Sequence, residues 1–204
     1  MAVREQYVDP AVSRAKFERE IEQYRSLAST YAERGWLLLE AEFPIVTVMM
    51  VARQLPVPAI VTGVRLDYTN YDAEPPSVQL VDPFSKEPYR AANLPVRLDR
   101  QVPGAGGPPA ALGAIPVQLV AVQPYMQWYS PDDIPFLCLP GVFEYHTHPG
   151  HSGDSWELHR SEGAGRLVRI LDVVHRYGVA PIDNLVVQLQ FVPQIQGFHA
   201  NPPS

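Results

Sequence analysis

One stretch of this chain concentrates side chains able to do chemistry. Cys138, Glu144, His146, His148 and His151 fall within fourteen residues of the segment FLCLPGVFEYHTHPGHSGDSW, and four of the six histidines lie between 146 and 159. Thiol, carboxylate and imidazole are the donors of zinc sites, and they are equally the parts of a cysteine nucleophile with its base. Glu144, His146 and His148 stand at i, i+2 and i+4, so on an extended strand all three share one face. Pro140-Gly141 signals a turn just before them. A three-residue loop, Leu139-Pro140-Gly141, pairs Cys138 with Val142 and turns it toward Glu144 and His146; a two-residue loop pairs it with Phe143 and turns it away. If they meet, Cys138, Glu144, His146 and His148 form a tetrahedral set suited to Zn²⁺, with iron as the next fit. Left free, Cys138 is a candidate catalytic thiol whose pKa neighbouring imidazoles lower. The plain alternative is an exposed histidine-rich turn beside a buried cysteine.

Several elements must position this segment. Phe17, Ile21, Tyr24, Leu27 and Tyr31 recur at spacings of three and four, which predicts one helix over 10–35 with Pro10 near its start and Gly35 at its cap. Trp36–Phe43, Ile45–Ala52, Ala59–Tyr68 and Ser77–Val81 read as strands of an antiparallel meander, punctuated by Pro44, by Leu55-Pro56-Val57-Pro58 and by Pro75-Pro76. Residues 82–116 read as irregular, ending in the Gly/Pro/Ala loop VPGAGGPPAALGAIP at 102–116. Its Gly104, Gly106 and Gly107 are not a phosphate loop, because no helix with Lys-Ser/Thr opens behind them. Val117–Val122 reads as a strand, Ser161–Tyr177 as a helix with its apolar face on Leu167, Ile170, Leu171, Val174 and Tyr177, and Asn184–Val192 as a last strand before a loose tail after 193. The expected class is α+β, in one domain over 1–204.

Composition bounds the partners. The formal charge is −6 and the pI about 5.5. Phosphate backbones want a basic face, so no nucleic-acid partner is expected. The longest apolar run, Phe43 to Ala52, is far short of the roughly 20 residues that span a bilayer, so no membrane association is expected. A single cysteine excludes an internal disulfide and a Cys-only zinc site and fits a reducing cytoplasm, where the protein is expected to reside. Arg160, Arg166, Arg169 and Arg176 form a basic strip near the late helix, read as a solvated face or as a docking face for an acidic partner.

Two segments resemble the ubiquitin-conjugating (UBC) fold. LDYTNYDAEPPSVQLVDP (66–83) is similar to that family's Tyr-Pro-x-x-Pro-Pro-x-Val stretch through Tyr71, Pro75, Pro76 and Val78, with Asp72 in place of its first Pro. Leu137-Cys138-Leu139, then Trp156, then the helix near 161–177 follow that family's order of catalytic Cys, Trp and helix, although its His-Pro-Asn before the Cys is absent. The spacing Cys-x5-Glu-x-His-x-His also resembles a bacterial family expected to bind metal through those four residues and found with ubiquitin-like proteins and their activating enzymes. His146-Thr147-His148-Pro149 is similar to the HxHP piece of JAMM-type metallopeptidases, but Ser152-Gly153-Asp154 comes too early for the rest of that motif.

The first two resemblances imply one setting: a bacterial ubiquitin-like conjugation system of the kind used in antiphage defence, with a ubiquitin-like protein and its activating enzyme as partners. In a conjugating enzyme Cys138 would carry the thioester, His146 or His148 would polarise or accept a proton, and Asp154 would orient the attacking amine. In the alternative, Cys138, Glu144, His146 and His148 hold Zn²⁺ in an accessory protein of the same pathway. A third reading is a non-catalytic UBC-like adaptor. Zinc and thioester at one Cys are nearly exclusive, because the metal holds the thiolate.

Overall fold

A computed structural model describes residues 4–102, 110–112, 115–117 and 121–185. The expected strand at 184–192 and the tail after 193 lie outside them beyond residue 185, as do parts of the 102–116 loop.

The class is α+β. Helix α1 (Pro10–Ser26) starts where the Asp9 carboxylate accepts the Ala11 N–H at 2.9 Å. It buries Ser13, Phe17, Glu20, Ile21 and Tyr24. The single helix expected over 10–35 is in fact two, because Leu27 leaves helical geometry and α2 (Ala28–Glu33) follows. The break lets Tyr31 stack between Tyr24 (4.9 Å) and Trp36 (5.1 Å), a gain that an unbroken helix would forgo. Gly35 has φ +84°, and a Cβ there would lie 2.1 Å from the Val51 carbonyl oxygen, so glycine is required where the chain enters the sheet.

The meander is as the sequence predicts. Strands β1 (Trp36–Glu42), β2 (Ile45–Ala52), β3 (Ala59–Asp67) and β4 (Ser77–Val81) pair in that order, all antiparallel. Val46 opposes Leu66 and Val48 opposes Val64, so the aliphatic alternation faces one side. That side is closed by α1, where Phe17 meets Phe43 and Tyr68 edge-on at 5.7 Å each.

Residues 82–116 are not wholly irregular. β5 (Asp99–Val102) pairs with β8 (Ala121–Pro124), and β6 (Ala110–Leu112) with β7 (Ile115–Val117), so the strand expected at 117–122 is offset. β9 (Met126–Gln127) and β10 (Phe136–Leu137) form a short ladder that delivers Cys138. Then come α3 (Phe143–Thr147), α4 (Glu157–Arg160) and α5 (Leu167–Val174), which runs on into a wider turn, His175–Val179. The late helix therefore starts at Leu167, not Ser161. Gly163 at φ +73° breaks the approach, and the buried Glu20 carboxylate accepts the Leu167 N–H at 3.0 Å. Among the described residues no helix is long and apolar enough to cross a membrane.

Candidate functional site

The side chains of Leu137 and Leu139 are buried, so Cys138 between them faces the other way and is half-buried. Its N–H donates to the Tyr125 carbonyl (2.7 Å) and fixes it at the end of β10. The turn beyond it is held from α5, where the Arg169 guanidinium donates to the carbonyls of Pro140 (2.9 Å) and Ala164 (2.6 Å). The basic strip thus serves the interior in part: Arg169 clamps this turn, Arg160 meets Asp72 at 3.0 Å and Arg176 meets Asp172 at 2.9 Å.

After the turn the chain forms a helix rather than the expected strand. The Thr147 hydroxyl donates to the Phe143 carbonyl (3.0 Å), and Pro149 forces His148 out into extended geometry at φ −75°, ψ 131°. Helical geometry destroys the shared face on which the four-ligand set depended. Glu144 turns toward β4, where it accepts from the Ser77 hydroxyl and the Val78 N–H. His146 receives the Gly141 N–H at Nε2 (3.1 Å) while its Nδ1–H donates to the Asp154 carbonyl (2.8 Å), an arrangement that fixes the neutral tautomer. Burial pulls its pKa down, consistent with that neutral form. His148 accepts the Gly150 N–H at Nδ1 (3.1 Å), meets the Tyr129 hydroxyl at Nε2, and stacks on Phe136 at 5.3 Å. Among the described residues no group of three or more His, Cys, Asp and Glu is disposed to hold a metal ion. The expected Cys138–Glu144–His146–His148 set is not assembled in this geometry, because three of its members are engaged elsewhere.

What Cys138 meets is His151, with Sγ to Nε2 at 3.2 Å. His151 stands in the sequence cluster but outside the four residues expected to ligate or catalyse there. The signal was Pro149-Gly150, whose turn brings the next residue back over α3. The imidazole lies on the Tyr145 ring, 4.0 Å between centroids and 22° between planes. Tyr145 in turn donates its hydroxyl to Asp154 Oδ2 at 2.6 Å, and His159 Nε2 meets Oδ1 at 2.5 Å. Those two bonds, Tyr145 first, hold the Asp154 carboxyl below its usual range. Burial and the Asp154 bond push Tyr145 up to about 12, so it remains a donor at neutral pH. Asp154 therefore acts as an anchor for the ring under His151, a different task from orienting an amine.

The thiol itself departs from expectation. Burial raises the Cys138 pKa, against the lowering that neighbouring imidazoles lead one to expect. A protonated thiol facing a ring nitrogen is a nucleophile awaiting a base. Phe136, two residues before Cys138, lines a groove of about 350 Å³ with Pro124, Met126, Gln127, Trp128 and Tyr129, the last 82% exposed.

Glu144 offers a direct test of the ligand set. Its buried carboxyl is raised above the usual value, so its ionisation at neutral pH opposes folding. Folding stability from such a group is fully present below the unfolded pKa and is lost as pH rises through the folded one. Glu144→Gln can still accept the Val78 N–H at Oε1, donates from Nε2 to the Ser77 hydroxyl oxygen instead of accepting from it, and removes the charge. Its melting temperature at pH 8 should exceed that of the wild type by a few degrees, and the difference should vanish below about pH 4. Thermal melts across pH check this, and a destabilised, metal-depleted Glu144→Gln protein would restore the four-ligand site.

The model of the Y4jH family, described as Y4jH-like, matches residues 8–182. The uncharacterized protein y4jH of Sinorhizobium fredii (strain NBRC 101917 / NGR234) is 40% identical over 186 residues, covering 91% of each chain. The chain belongs to the Y4jH-like family.

Proposed function

We propose that this Y4jH-like protein accepts the carboxyl end of a ubiquitin-like protein as a thioester on Cys138 and passes it to an amine, in a bacterial ubiquitin-like conjugation pathway. The observation that carries the reading is the 3.2 Å approach of Cys138 Sγ to His151 Nε2 on a half-buried turn. It is supported by the order of parts: α1, a four-stranded meander, Tyr71 with Pro75-Pro76 between β3 and β4, Cys138, the buried Trp156, then α5. That is the order the resemblance to conjugating enzymes implies. The groove along Trp128, Tyr129 and Phe136 offers an apolar track for an extended tail entering beside Cys138.

In this reading His151 Nε2 takes the thiol proton as Sγ attacks the carbonyl of the donor thioester. The new Sγ–C bond forms, the tetrahedral intermediate collapses, and the donor sulfur leaves with the proton returned by His151. An amine then attacks the Cys138 thioester, forming an amide and releasing the Cys138 thiol.

A peptide thioester ending in Gly-Gly replaces the charged activating enzyme as probe. Intact-mass spectrometry at pH 7.5 should find one acyl group per chain, released by hydroxylamine, absent in Cys138→Ala, and formed faster than on N-acetylcysteine. Acylation no faster than that free thiol would sink the proposal and leave the zinc-binding accessory or adaptor readings.

A further inference from the structure

A second polar site lies behind the indole of Trp156. Trp156 Nε1 donates to the Asp72 carbonyl (2.9 Å) while its ring stands edge-on to His146 at 5.7 Å, so the indole separates this site from Cys138. The pocket, about 170 Å³, is walled by α1 on one side and by the turn leading into α5 on the other. Four cations line it, Lys16 and Arg19 from α1 with Arg160 and Arg166 from the far wall, against two carboxylates, Glu20 and Asp72.

The carboxylates are already committed. Asp72 is engaged by both Lys16 and Arg160. Glu20 is buried and its carboxylate accepts the Leu167 N–H. Arg19 and Arg166 remain at the mouth, both exposed; both attract the Glu20 carboxylate, but neither guanidinium makes a hydrogen bond or a close ion pair with a described residue. Tyr71 also lines the pocket. It is only 7% exposed, yet its hydroxyl has no hydrogen-bond partner among the described residues. Its ring is buried but its hydroxyl opens to the pocket, where it can donate to a ligand oxygen.

We infer that this pocket binds a tetrahedral oxyanion, phosphate or the phosphoryl group of a phosphomonoester, between Arg19 and Arg166 with the Tyr71 hydroxyl donating from within. Guanidinium forks match phosphoryl oxygens two at a time. Donors on three separate elements call for a ligand with at least three acceptor oxygens, more than a carboxylate supplies.

Titration calorimetry on the full chain at constant ionic strength tests this with two probes, inorganic phosphate and O-phosphoserine. Saturable one-to-one binding is expected. Arg19→Gln and Arg166→Gln should each weaken it about tenfold or more, and Tyr71→Phe, which keeps the ring, about fivefold. Arg25→Gln, elsewhere on α1, should leave it unchanged. Phosphoserine binding about tenfold tighter than phosphate would identify a phosphorylated molecule as the ligand; equal or weaker binding would identify the free anion. Absence of saturable heat up to about 20 mM of either probe overturns the inference, because no useful affinity lies beyond that range. Equal weakening by Arg25→Gln overturns it too, since the binding would then be diffuse.

Discussion

His151→Gln is expected to slow acylation of Cys138 by the peptide thioester about 10²-fold at pH 7.5, the usual worth of a positioned base. Glutamine keeps the bulk and a hydrogen-bonding end but cannot take a proton. The effect should be largest at neutral pH. Burial holds the Cys138 thiol above its ordinary pKa, so without His151 the rate follows the small thiolate fraction and climbs about tenfold per pH unit. The wild-type profile should be flatter, and the two should converge in alkaline solution. That convergence separates a lost base from a disturbed fold, which no rise in pH would repair. His146→Gln should cost less, since both nitrogens of that ring are used by Gly141 and Asp154. A His146→Gln defect as large as that of His151→Gln, with the fold intact, would move the base to His146.

Gly141→Ala is expected to destabilise the protein by on the order of 3–5 kcal/mol, the range of backbone strain combined with a steric clash that has no escape. Gly141 has φ +100°, and a Cβ there would lie 2.3 Å from the Ala164 carbonyl oxygen and 2.4 Å from its carbon. The atoms in the way are backbone, held also by Arg169, so they cannot swing aside as a side-chain tip could. A drop of about 10 °C in melting temperature should follow for a chain of this size. Acylation of the surviving folded fraction should fall as well, because the Gly141 N–H fixes His146 and the turn carries Cys138. Gly153→Ala is the internal control: nothing lies within 4 Å of a Cβ there, and stability should barely change. Equal melting temperatures for Gly141→Ala and wild type would show that the turn can relax away from α5.

Much of the fold was legible in the sequence because it rests on short-range rules. The stripe through Phe17, Ile21 and Tyr24 and the β-branched runs with proline punctuation specify α1 and the meander strand by strand, since periodicity reports which face is buried. The cluster at 138–151 was visible for a similar reason: reactive residue types so close in the chain must lie near one another in space. Which of them meet was not legible. Pairing in a cluster depends on whether residues 143–147 adopt period 2 or period 3.6, and five residues are too few for the pattern to decide. The contacts that decide it come from afar: Pro76 accepts the Phe143 N–H, Ser77 holds Glu144, and Arg169 clamps Pro140. The same holds for Cys138, whose pKa rises through burial between distant elements, and for Arg19, Tyr71 and Arg166, separated by up to 147 positions yet lining one pocket. Sequence alone determined α1, the four-stranded meander and the inventory of chemistry. Tertiary packing decided that the cysteine faces His151 and that Glu144, His146 and His148 are engaged by other partners, because burial and long-range hydrogen bonds belong to the folded chain as a whole.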